Sequence, residues 1–347
     1  MTLLSLRSHF DKLSETNKFF LIELLIDLNK YSPKGNKMAI NMKGKDLISI
    51  HDLTLEEVNQ IFEVSKTLKQ KQLIGEPHRV LEGKTLGMIF TKPSTRTRIS
   101  FETGIYQLGG IGMYFGPNDL QLGKSESIAD TAKVLSRYLN GIMIRTFAHQ
   151  DVIDLAAGAS IPVINGLTDL LHPCQVLADL FTILEKKGKL KGLKLAYIGD
   201  GNNMAHSLLN GCSKVGMHIS IASPSGYKPN ADIVNNAKVN AKYMGSKVEI
   251  LDDPVKAVKN ADIVYTDVWA SMGQESEATE RRKKFIKYQV NPKLVKNAKD
   301  DYLFMHCLPA HRGDEVVNEV ADSPNSVIFD EAENRLHVQK AIMALVM

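Results

Sequence analysis

Hydroxyl and guanidinium side chains are concentrated in one short segment, Ser-Thr-Arg-Thr-Arg at residues 94–98. The apolar run Thr85–Phe90, typical of a buried strand, precedes it, and a helical pattern from Ile99 to Leu108 follows it. A helix that begins after a strand presents free N–H groups and a positive dipole end, and both bind phosphate. The segment therefore predicts an oxyanion site, with Ser94 as the helix N-cap and guanidinium groups as permanently charged donors. The alternative is a capped helix whose arginines pair with surface acids, and the Walker A nucleotide-binding pattern is absent.

Further candidate residues follow other apolar runs. Arg145 and Asp267 each come directly after a short apolar run, and Cys307 follows the run Tyr302–Met305 with His306 between them. If these runs are parallel strands, the three side chains lie at the edge where open α/β sheets bind ligands. His172 and Gln175 are three residues apart and share a helix face. Taken singly, these residues also have purely structural interpretations. Arg145 fits a surface arginine, Cys307 a small buried residue, and His172 a hydrogen-bonded histidine beside a proline.

A glycine-containing turn, Ile-Gly-Asp-Gly-Asn-Asn at residues 198–203, is similar to the start of a dinucleotide-binding fingerprint. Met204 occupies the position of the last glycine, and no acid ends the following run, His218–Ala222. Because the fingerprint uses that glycine for close packing and the acid for a ribose, the turn disfavours a nicotinamide-dependent dehydrogenase. Asn202 fits a helix N-cap at this turn.

Alternating strands and helices must position these side chains. Short runs rich in Val, Ile and Leu alternate with helical patterns, which is typical of a parallel sheet covered on both faces. The predicted strands are Thr85–Phe90, Ile142–Ile144, Pro162–Ile164, Lys194–Ile198, His218–Ala222, Val248–Leu251, Ile263–Thr266 and Tyr302–Met305. The predicted helices include Ser127–Leu139, Pro173 to about Lys187, and Glu331–Met347. The charge run Glu280–Lys284 predicts a solvated helix face, and Cys174 and Cys212 are predicted to be packing residues.

Length and composition indicate two ordinary globular domains. The chain has 347 residues, of which 44% are hydrophobic and 24% charged, so disordered, collagen-like and coiled-coil classes are excluded. A Lys- and Gly-rich stretch that ends at Gly192 interrupts the pattern. We therefore predict an N-terminal extension at residues 1–41, a first α/β domain at 42–185 and a second at 186–347.

Charge, cysteines and hydropathy limit the partners. The formal net charge of +4 is too small and dispersed to indicate a nucleic-acid partner. Three cysteines without a C-x-x-C pair favour a reduced, cytoplasmic compartment, and no His, Cys and Asp cluster has the short spacing of a metal site. No stretch approaches the ~20 apolar residues that cross a bilayer. The densest apolar run, Phe19–Leu28, contains Glu23 and Asp27 and so predicts an amphipathic helix; a start at Met38 or Met42 is the alternative.

Eight blocks, in order, resemble the aspartate/ornithine carbamoyltransferase family from about Met42 to Met347. The blocks are residues 94–98 with Phe101-Glu102, Gln121-Leu122-Gly123, Met143–Thr146, His172–Gln175, Asp200–Asn203, Asp267–Gly273, His306–Pro309 and Glu333–Arg335. Within them, Ser271-Met272-Gly273 is similar to the members that use ornithine. The resemblance implies two domains, each a parallel sheet flanked by helices, and a C-terminal helix at about 330–347 that packs on the first domain.

The resemblance implies transfer of the carbamoyl group of carbamoyl phosphate to the side-chain amine of L-ornithine, giving L-citrulline and phosphate, with no metal or organic cofactor. It assigns carbamoyl phosphate binding to Ser94, Thr95, Arg96, Thr97, Gln121, Arg145, His172, Gln175, Cys307, Leu308 and Arg335. It assigns ornithine binding to Asn203, Asp267, Ser271 and Met272. The predicted catalytic residues are Cys307, Arg96, Arg145, His172 and Asp267. Arg98 is a further cation expected at the phosphate, whereas Lys124-Ser125 depart from the Arg-Gly that is frequent in the family.

Carbamoyl phosphate is already activated, so no acyl-enzyme is required. We hypothesise that Cys307 and Asp267 orient the terminal amine and help it react unprotonated, because an ammonium group has no lone pair with which to attack. The resemblance also implies a homotrimer or an assembly of trimers, and closure of the domains and of the loop Trp269–Gly273 around ligands. The alternatives are another amine acceptor, such as putrescine or an acylated ornithine, and a catalytically silent subunit. The direction of arginine metabolism stays open.

Overall fold

Four parallel strands form the first sheet in the computed structural model, which describes residues 39–120, 126–271, 273 and 275–347. The strands are β1 (Thr85–Phe90), β2 (Ile111–Phe115), β3 (Gly141–Arg145) and β4 (Val163–Leu167), in the spatial order β2-β1-β3-β4. The accompanying helices are α1 (Leu55–Leu73), α2 (Thr95–Gln107), α3 (Ile128–Tyr138), α4 (His149–Gly158) and α5 (Pro173–Lys187). Every residue of β3 and β4 is buried, as expected for parallel strands covered on both faces.

Five parallel strands form the second sheet. They are β5 (Lys194–Ile198), β6 (His218–Ala222), β7 (Val248–Leu251), β8 (Ile263–Thr266) and β9 (Leu303–Met305), in the spatial order β7-β6-β5-β8-β9. The helices are α6 (Asn203–Val215), α7 (Ala231–Met244), α8 (Pro254–Val258), α9 (Ala278–Phe285), α10 (Pro292–Val295), α11 (Asn318–Ala321) and α12 (Ile328–Val346). Short 3₁₀ turns cover Ile50–Asp52, Glu275–Glu277 and Ile286–Tyr288.

In both sheets the strand order reverses at the first strand, β1 or β5. In the first sheet the chain passes from β2 on one side of β1 to β3 on the other, and in the second it passes from β6 and β7 on one side of β5 to β8 on the other. Where strand order reverses in this way, the loops at the carboxyl ends diverge and leave room for a ligand. The segments after β1, β3, β5 and β8 are therefore the ones positioned to form a site.

The strand predictions hold with one omission. β1, β5, β6, β7 and β8 match the predicted bounds, and β3, β4 and β9 differ only at their ends. The prediction omits β2, an edge strand whose residues stay partly exposed. Its sequence Ile-Gly-Met-Tyr-Phe contains Gly112 and lacks the Val- and Ile-rich character of the buried strands.

Helix starts lie close to the predicted positions and point towards the carboxyl edges of the sheets. Ser94 caps α2 by accepting a hydrogen bond from Thr97 N (3.3 Å), and α2 begins at Thr95, earlier than the predicted Ile99. Asn202 caps α6 by accepting from the backbone N–H groups of Met204 (3.0 Å) and Ala205 (3.2 Å). The positive ends of two helices thus follow β1 and β5 directly.

Helix α12 packs against elements from the first part of the chain. It begins at Ile328, earlier than the predicted Glu331, and contacts α1, α2 and α5. The buried Lys340 Nζ donates to Gln72 Oε1 (2.7 Å) on α1 and Gln107 Oε1 (2.9 Å) on α2. Among the described residues, none of these helices has the length and apolar content to span a membrane.

Candidate active site

A cleft of about 1010 Å³ opens where the carboxyl ends of the two sheets face each other. Most of the predicted site residues line it: Ser94, Thr95, Arg96, Thr97, Arg145, His172, Gln175, Asn203, Asp267, Ser271, Cys307, Leu308 and Arg335. The other two, Gln121 and Met272, lie outside the described residues. The fold therefore brings together segments from along nearly the whole chain.

Three arginines, Arg96, Arg145 and Arg335, concentrate positive charge at one end of the cleft. Arg335 Nη1 donates to Gln175 Oε1 (2.5 Å), and its Nη2 donates to Thr97 Oγ1 (3.2 Å). Arg145 is buried, and its Nε has no hydrogen-bond partner among the described residues. Burial and the charges of Arg335 and Arg96 lower the pKa of Arg145 to about 10. Guanidinium groups that repel one another at a helix N-terminus fit a small dianion that would relieve the repulsion.

Arg98 does not belong to this cluster, and the expectation that it contacts the phosphate is wrong. Its side chain is about half exposed, its Nε donates to Glu102 (3.2 Å) and its guanidinium lies 4.0 Å from the centre of the Tyr114 ring. Residues two apart on a helix do not share a face. Arg98 therefore points away from the cleft that Arg96 lines.

His172 lies beside the arginines as a neutral imidazole. Its backbone N–H donates to Ser207 Oγ (2.7 Å), and its Nδ1 is buried without a partner in the described parts of the chain. Burial and the charges of the neighbouring arginines lower the pKa of His172 well below its usual value. A neutral imidazole can donate a hydrogen bond to a carbonyl oxygen without adding another charge.

Asp267 and Cys307 form the polar centre of the opposite wall. Cys307 Sγ donates to Asp267 Oδ1 (3.2 Å), and Asn202 Nδ2 donates to Asp267 Oδ2 (2.8 Å). Burial and the charge of Asp267 raise the pKa of Cys307 well above its usual value. The thiol is therefore protonated and acts as a hydrogen-bond donor, which fits a role in orientation better than one as a nucleophile.

The two walls are also linked directly. Asn203 Nδ2, at the start of α6, donates to Thr168 O (2.7 Å) in the loop after β4. His206 Nδ1 is 2.9 Å from Leu170 O in the same loop. These contacts hold the loop after β4 against α6, so the amide of Asn203 reaches the cleft from a fixed position.

Asp267, His306 and Cys307 also place one potential metal-ligand atom each within 4.8 Å of one another. His306 Nδ1 accepts from Leu308 N (2.9 Å), and His306 Nε2 lies 3.2 Å from Glu315 Oε1. Both imidazole nitrogens are therefore engaged, and the Cys307 thiol already donates to Asp267. The donor set does not fit a metal ion, which needs a free imidazole nitrogen and a deprotonated thiol.

Three lysine or arginine residues outside the predicted site, Lys92, Lys228 and Arg281, line the cleft. Lys92 is buried, forms a salt bridge with Asp169 and lies 4.2 Å from the centre of the Phe147 ring. Arg281 belongs to the run predicted as a solvated helix face, and for this residue the prediction is wrong because its side chain is only 8% exposed.

Arg281 binds the turn after β5 to the loop after β8. Its Nη1 donates to Asp200 Oδ2 (2.7 Å) and to Trp269 O (3.0 Å), and its Nε donates to Glu277 (2.9 Å). Arg281 and Phe285, four residues apart, are the buried residues of α9. That spacing from an apolar residue was the available signal in the sequence.

The fold and the cleft define a two-sheet α/β protein with a cluster of arginines on one wall of the cleft and the Asp267–Cys307 pair on the other. A family model described as the aspartate/ornithine carbamoyltransferase carbamoyl-P binding domain matches residues 45–185. A second, described as the aspartate/ornithine carbamoyltransferase Asp/Orn binding domain, matches residues 191–346. The chain belongs to the aspartate/ornithine carbamoyltransferase family.

Comparison with individual proteins supports the same family assignment. The chain is 61% identical over 310 residues to the ornithine carbamoyltransferase of Thermococcus kodakarensis, covering 89% of this chain and 98% of that protein. It is 56% identical over 307 residues to that of Bacillus subtilis, covering 88% of this chain and 95% of that protein. The solved ornithine carbamoyltransferase of Pyrococcus furiosus superimposes with a TM-score of 0.87 at 58% identity, covering 89% of this chain and 99% of that one.

Proposed function

We propose that the protein transfers the carbamoyl group of carbamoyl phosphate to the side-chain amine of L-ornithine, giving L-citrulline and phosphate. The observation that carries the proposal is the cleft, which joins the cluster of arginines to the Asp267–Cys307 pair. An activated dianion and a cationic amino acid require opposite charges on the two walls of one site. Similarity to proteins named ornithine carbamoyltransferase supports the choice of substrates.

At the first wall, the N–H groups and the hydroxyls of Ser94, Thr95 and Thr97 at the start of α2 hold the phosphate. The three arginines, Arg96, Arg145 and Arg335, neutralise the charge that grows on the leaving phosphate as its C–O bond breaks. Gln121 is assigned to the same ligand because the family resemblance implies it. This assignment makes the first part of the chain, residues 42–185, the carbamoyl phosphate domain, in agreement with the description of the matching family model.

The carbamoyl group lies between the walls. His172, as a neutral donor, stabilises the carbonyl oxygen, where negative charge develops during attack. Gln175 Oε1 and the Leu308 segment accept from the carbamoyl amide nitrogen. This arrangement fixes which face of the carbonyl carbon is open to the amine.

At the second wall, the chain binds the amino-acid end of ornithine and orients the amine. The Asn203 amide donates to the α-carboxylate, and Ser271 continues recognition of the zwitterion. Met272 is assigned to the same ligand because the family resemblance implies it. Asp267 accepts from an ammonium group, and the Cys307 thiol faces the side-chain amine. Residues 186–347 form the ornithine domain in this assignment.

The reaction forms one bond and breaks one. The unprotonated amine forms an N–C bond with the carbonyl carbon, and the C–O bond to phosphate breaks as the carbonyl is restored. The new amide nitrogen loses a proton, and the departing phosphate oxygen is the nearest base that can take it. No step needs a thiolate, which agrees with the raised pKa that burial gives to Cys307.

The proposal extends to assembly and location. We propose a homotrimer or an assembly of trimers, as the family resemblance implies, and a cytoplasmic location. Support for the second point comes from three cysteines, all free. Cys174 and Cys212 are buried packing residues whose pKa burial raises, so they stay thiols in a reducing compartment.

A steady-state assay against a panel of amines tests the function. Purified protein with carbamoyl phosphate should form citrulline from L-ornithine with a kcat/KM far above that for putrescine or an acylated ornithine. A preference for putrescine would overturn the substrate choice. Binding of carbamoyl phosphate without phosphate release with any of these amines would indicate a catalytically silent subunit.

A further inference from the structure

Two carboxyl groups lie together behind the cleft. Asp179 on α5 and Glu331 on α12 have no exposed surface, and both carboxyls accept from the same donor, Gln175 Nε2, at 2.8 and 3.1 Å. Neither forms a salt bridge to a basic residue within the described parts of the chain, the nearest cationic influence being Arg335. Two adjacent carboxylates in a buried site cannot both stay ionised at acceptable cost. One of them therefore holds a proton.

The surrounding hydrogen bonds decide which carboxyl is the acid. Glu331 Oε1 accepts from Gln175 Nε2 (3.1 Å) and from Tyr265 OH (2.9 Å), and its Oε2 accepts from His306 N (3.0 Å). Asp179 Oδ1 accepts from Gln175 Nε2 alone (2.8 Å), and its Oδ2 is buried without a donor.

Hydrogen-bond donors stabilise the ionised form of a carboxyl group. Glu331 accepts three hydrogen bonds and Asp179 accepts one, so Glu331 is the carboxylate. The proton then sits on Asp179 Oδ2 and is donated to Glu331, which also satisfies the otherwise orphaned oxygen. Burial raises the pKa of both carboxyls, that of Asp179 to about 7, so the pair holds a proton at mildly acidic pH.

We propose that Asp179 and Glu331, joined by this one proton, are positioning residues that tie the carbamoyl phosphate wall of the cleft to the ornithine wall. The inference rests on the proposed function, and it adds residues that do not themselves line the cleft. Glu331 contacts three segments at once. These are α5 through Gln175, β8 through Tyr265, and the segment before Cys307 through His306 N.

The acid pair sets the orientation of the Gln175 amide. Because Nε2 donates to both carboxyls, Oε1 is turned towards Arg335 and the cleft. A reversed amide would oppose Arg335 with a second donor and would present the wrong group to the carbamoyl nitrogen. The pair thereby holds an acceptor where the proposed mechanism needs one.

The same carboxylate fixes the opposite wall. Tyr265 lies two residues before Asp267, and His306 lies one residue before Cys307. Glu331 therefore anchors the ends of the two strands that lead into Asp267 and Cys307. The side chains of these two residues form the 3.2 Å contact between thiol and carboxylate. Loss of this anchor should affect the kinetics of both substrates and not one alone.

Four variants separate this idea from a general need for buried acids. Asp179→Asn supplies a permanent N–H donor to Glu331 and should lower kcat by less than about threefold, whereas Asp179→Ala should lower it at least about tenfold. Glu331→Gln turns an amide donor towards His306 N, so it should lower kcat/KM for both substrates by at least about thirtyfold. As a control, Asp262→Asn removes another buried carboxylate, bonded to Lys299 (2.6 Å) and Lys194 N (2.8 Å), and should leave saturated turnover unchanged.

An infrared spectrum gives a readout independent of turnover. The wild-type minus Asp179→Asn difference, recorded at mildly acidic pH, should contain the C=O stretch of a protonated carboxyl group, and the wild-type minus Asp262→Asn difference should lack it. Thermal unfolding of each variant identifies those that fail to fold. The shift of that transition by carbamoyl phosphate reports the first wall without any amine present.

These measurements distinguish failure of the inference about Asp179 and Glu331 from failure of the proposed function. Folded Asp179→Asn protein as inactive as Asp179→Ala, an active Glu331→Gln variant, or absence of the carboxylic acid band would each overturn the inference. If the wild type makes no citrulline, the proposed function fails. The pair is then still tested by the infrared band and by the carbamoyl phosphate shift, which Glu331→Gln should reduce and Asp179→Asn should preserve.

Discussion

Replacement of Arg281 by Met should weaken the use of ornithine and leave carbamoyl phosphate binding intact. The guanidinium bonds Asp200 in the turn after β5 and Trp269 O in the loop after β8. That loop continues into Ser271, which lines the cleft and which we propose binds ornithine. Methionine preserves much of the apolar stem of arginine but supplies no donor, so the loop loses its attachment to the turn.

The size of the expected rise in the KM for ornithine follows from the burial of the Arg281–Asp200 ion pair. The side chains of Arg281 and Asp200 are 8% and 12% exposed, and removal of one partner from such a pair costs about 3–5 kcal/mol. Burial already raises the pKa of Asp200, so protonation of this carboxyl in the variant recovers part of the cost and leaves about 2 kcal/mol. If ornithine binding must restore the loop, 2 kcal/mol corresponds to a rise in its KM of about 30-fold.

Steady-state kinetics with each substrate varied in turn measures the effect. The neighbouring residue provides a matched control, since Arg282 is 63% exposed and pairs with Asp314, so Arg282→Met should change neither KM beyond about twofold. An unchanged ornithine KM in a folded Arg281→Met variant, or an equal rise in the KM for carbamoyl phosphate, would refute the argument that Arg281 acts through the loop.

Three further results are expected. Cys307→Ala should reduce kcat about 100-fold while carbamoyl phosphate still shifts thermal unfolding, and near-normal turnover would contradict its role in orienting the amine. Because burial lowers the pKa of Arg145 to about 10, the free enzyme should lose carbamoyl phosphate affinity as pH rises through that value, and Arg145→Gln should bind weakly at every pH. Asn202→Ala should lower the free energy of unfolding by about 1 kcal/mol and also impair ornithine kinetics, whereas Asn230→Ala, which removes the cap of α7, should affect stability alone.

The oxyanion wall was the most predictable part of the site because its groups are adjacent in sequence. A strand, a capping Ser94 and a run of hydroxyls fix the start of α2 through local hydrogen bonds. Arg335 contributes to the same wall from α12, and the residues alone gave no reason to place it there. Its inclusion depended on the family resemblance.

The misassigned arginines show where local patterns fail. Arg98 is only two residues from Arg96 but lies on another face of α2, which helical spacing alone could have indicated. Arg281 sits in a run of charges whose burial is decided by Asp200, a residue 81 positions away in the chain. The four-residue spacing from Phe285 indicates a buried face, but nothing in a short window of sequence identifies Asp200 as the partner.

The sequence partly indicates the buried pair of Asp179 and Glu331. Asp179 stands in α5 among residues that are buried from Pro173 to Ile183, and a charge inside such an apolar helix requires a partner. The identity of that partner, Glu331, follows only from the packing of α12 on α5.

The position of α12 has a consequence for the order of folding. The contact between Thr97 and Arg335 closes a loop of 238 residues, which carries a large entropic cost and forms slowly compared with local structure. A chain that has formed its helices but has not docked α12 lacks a complete phosphate wall. Carbamoyl phosphate should therefore bind only the fully assembled state, and it should slow unfolding and accelerate no early folding step. The substrate thus acts as a selective stabiliser of finished molecules.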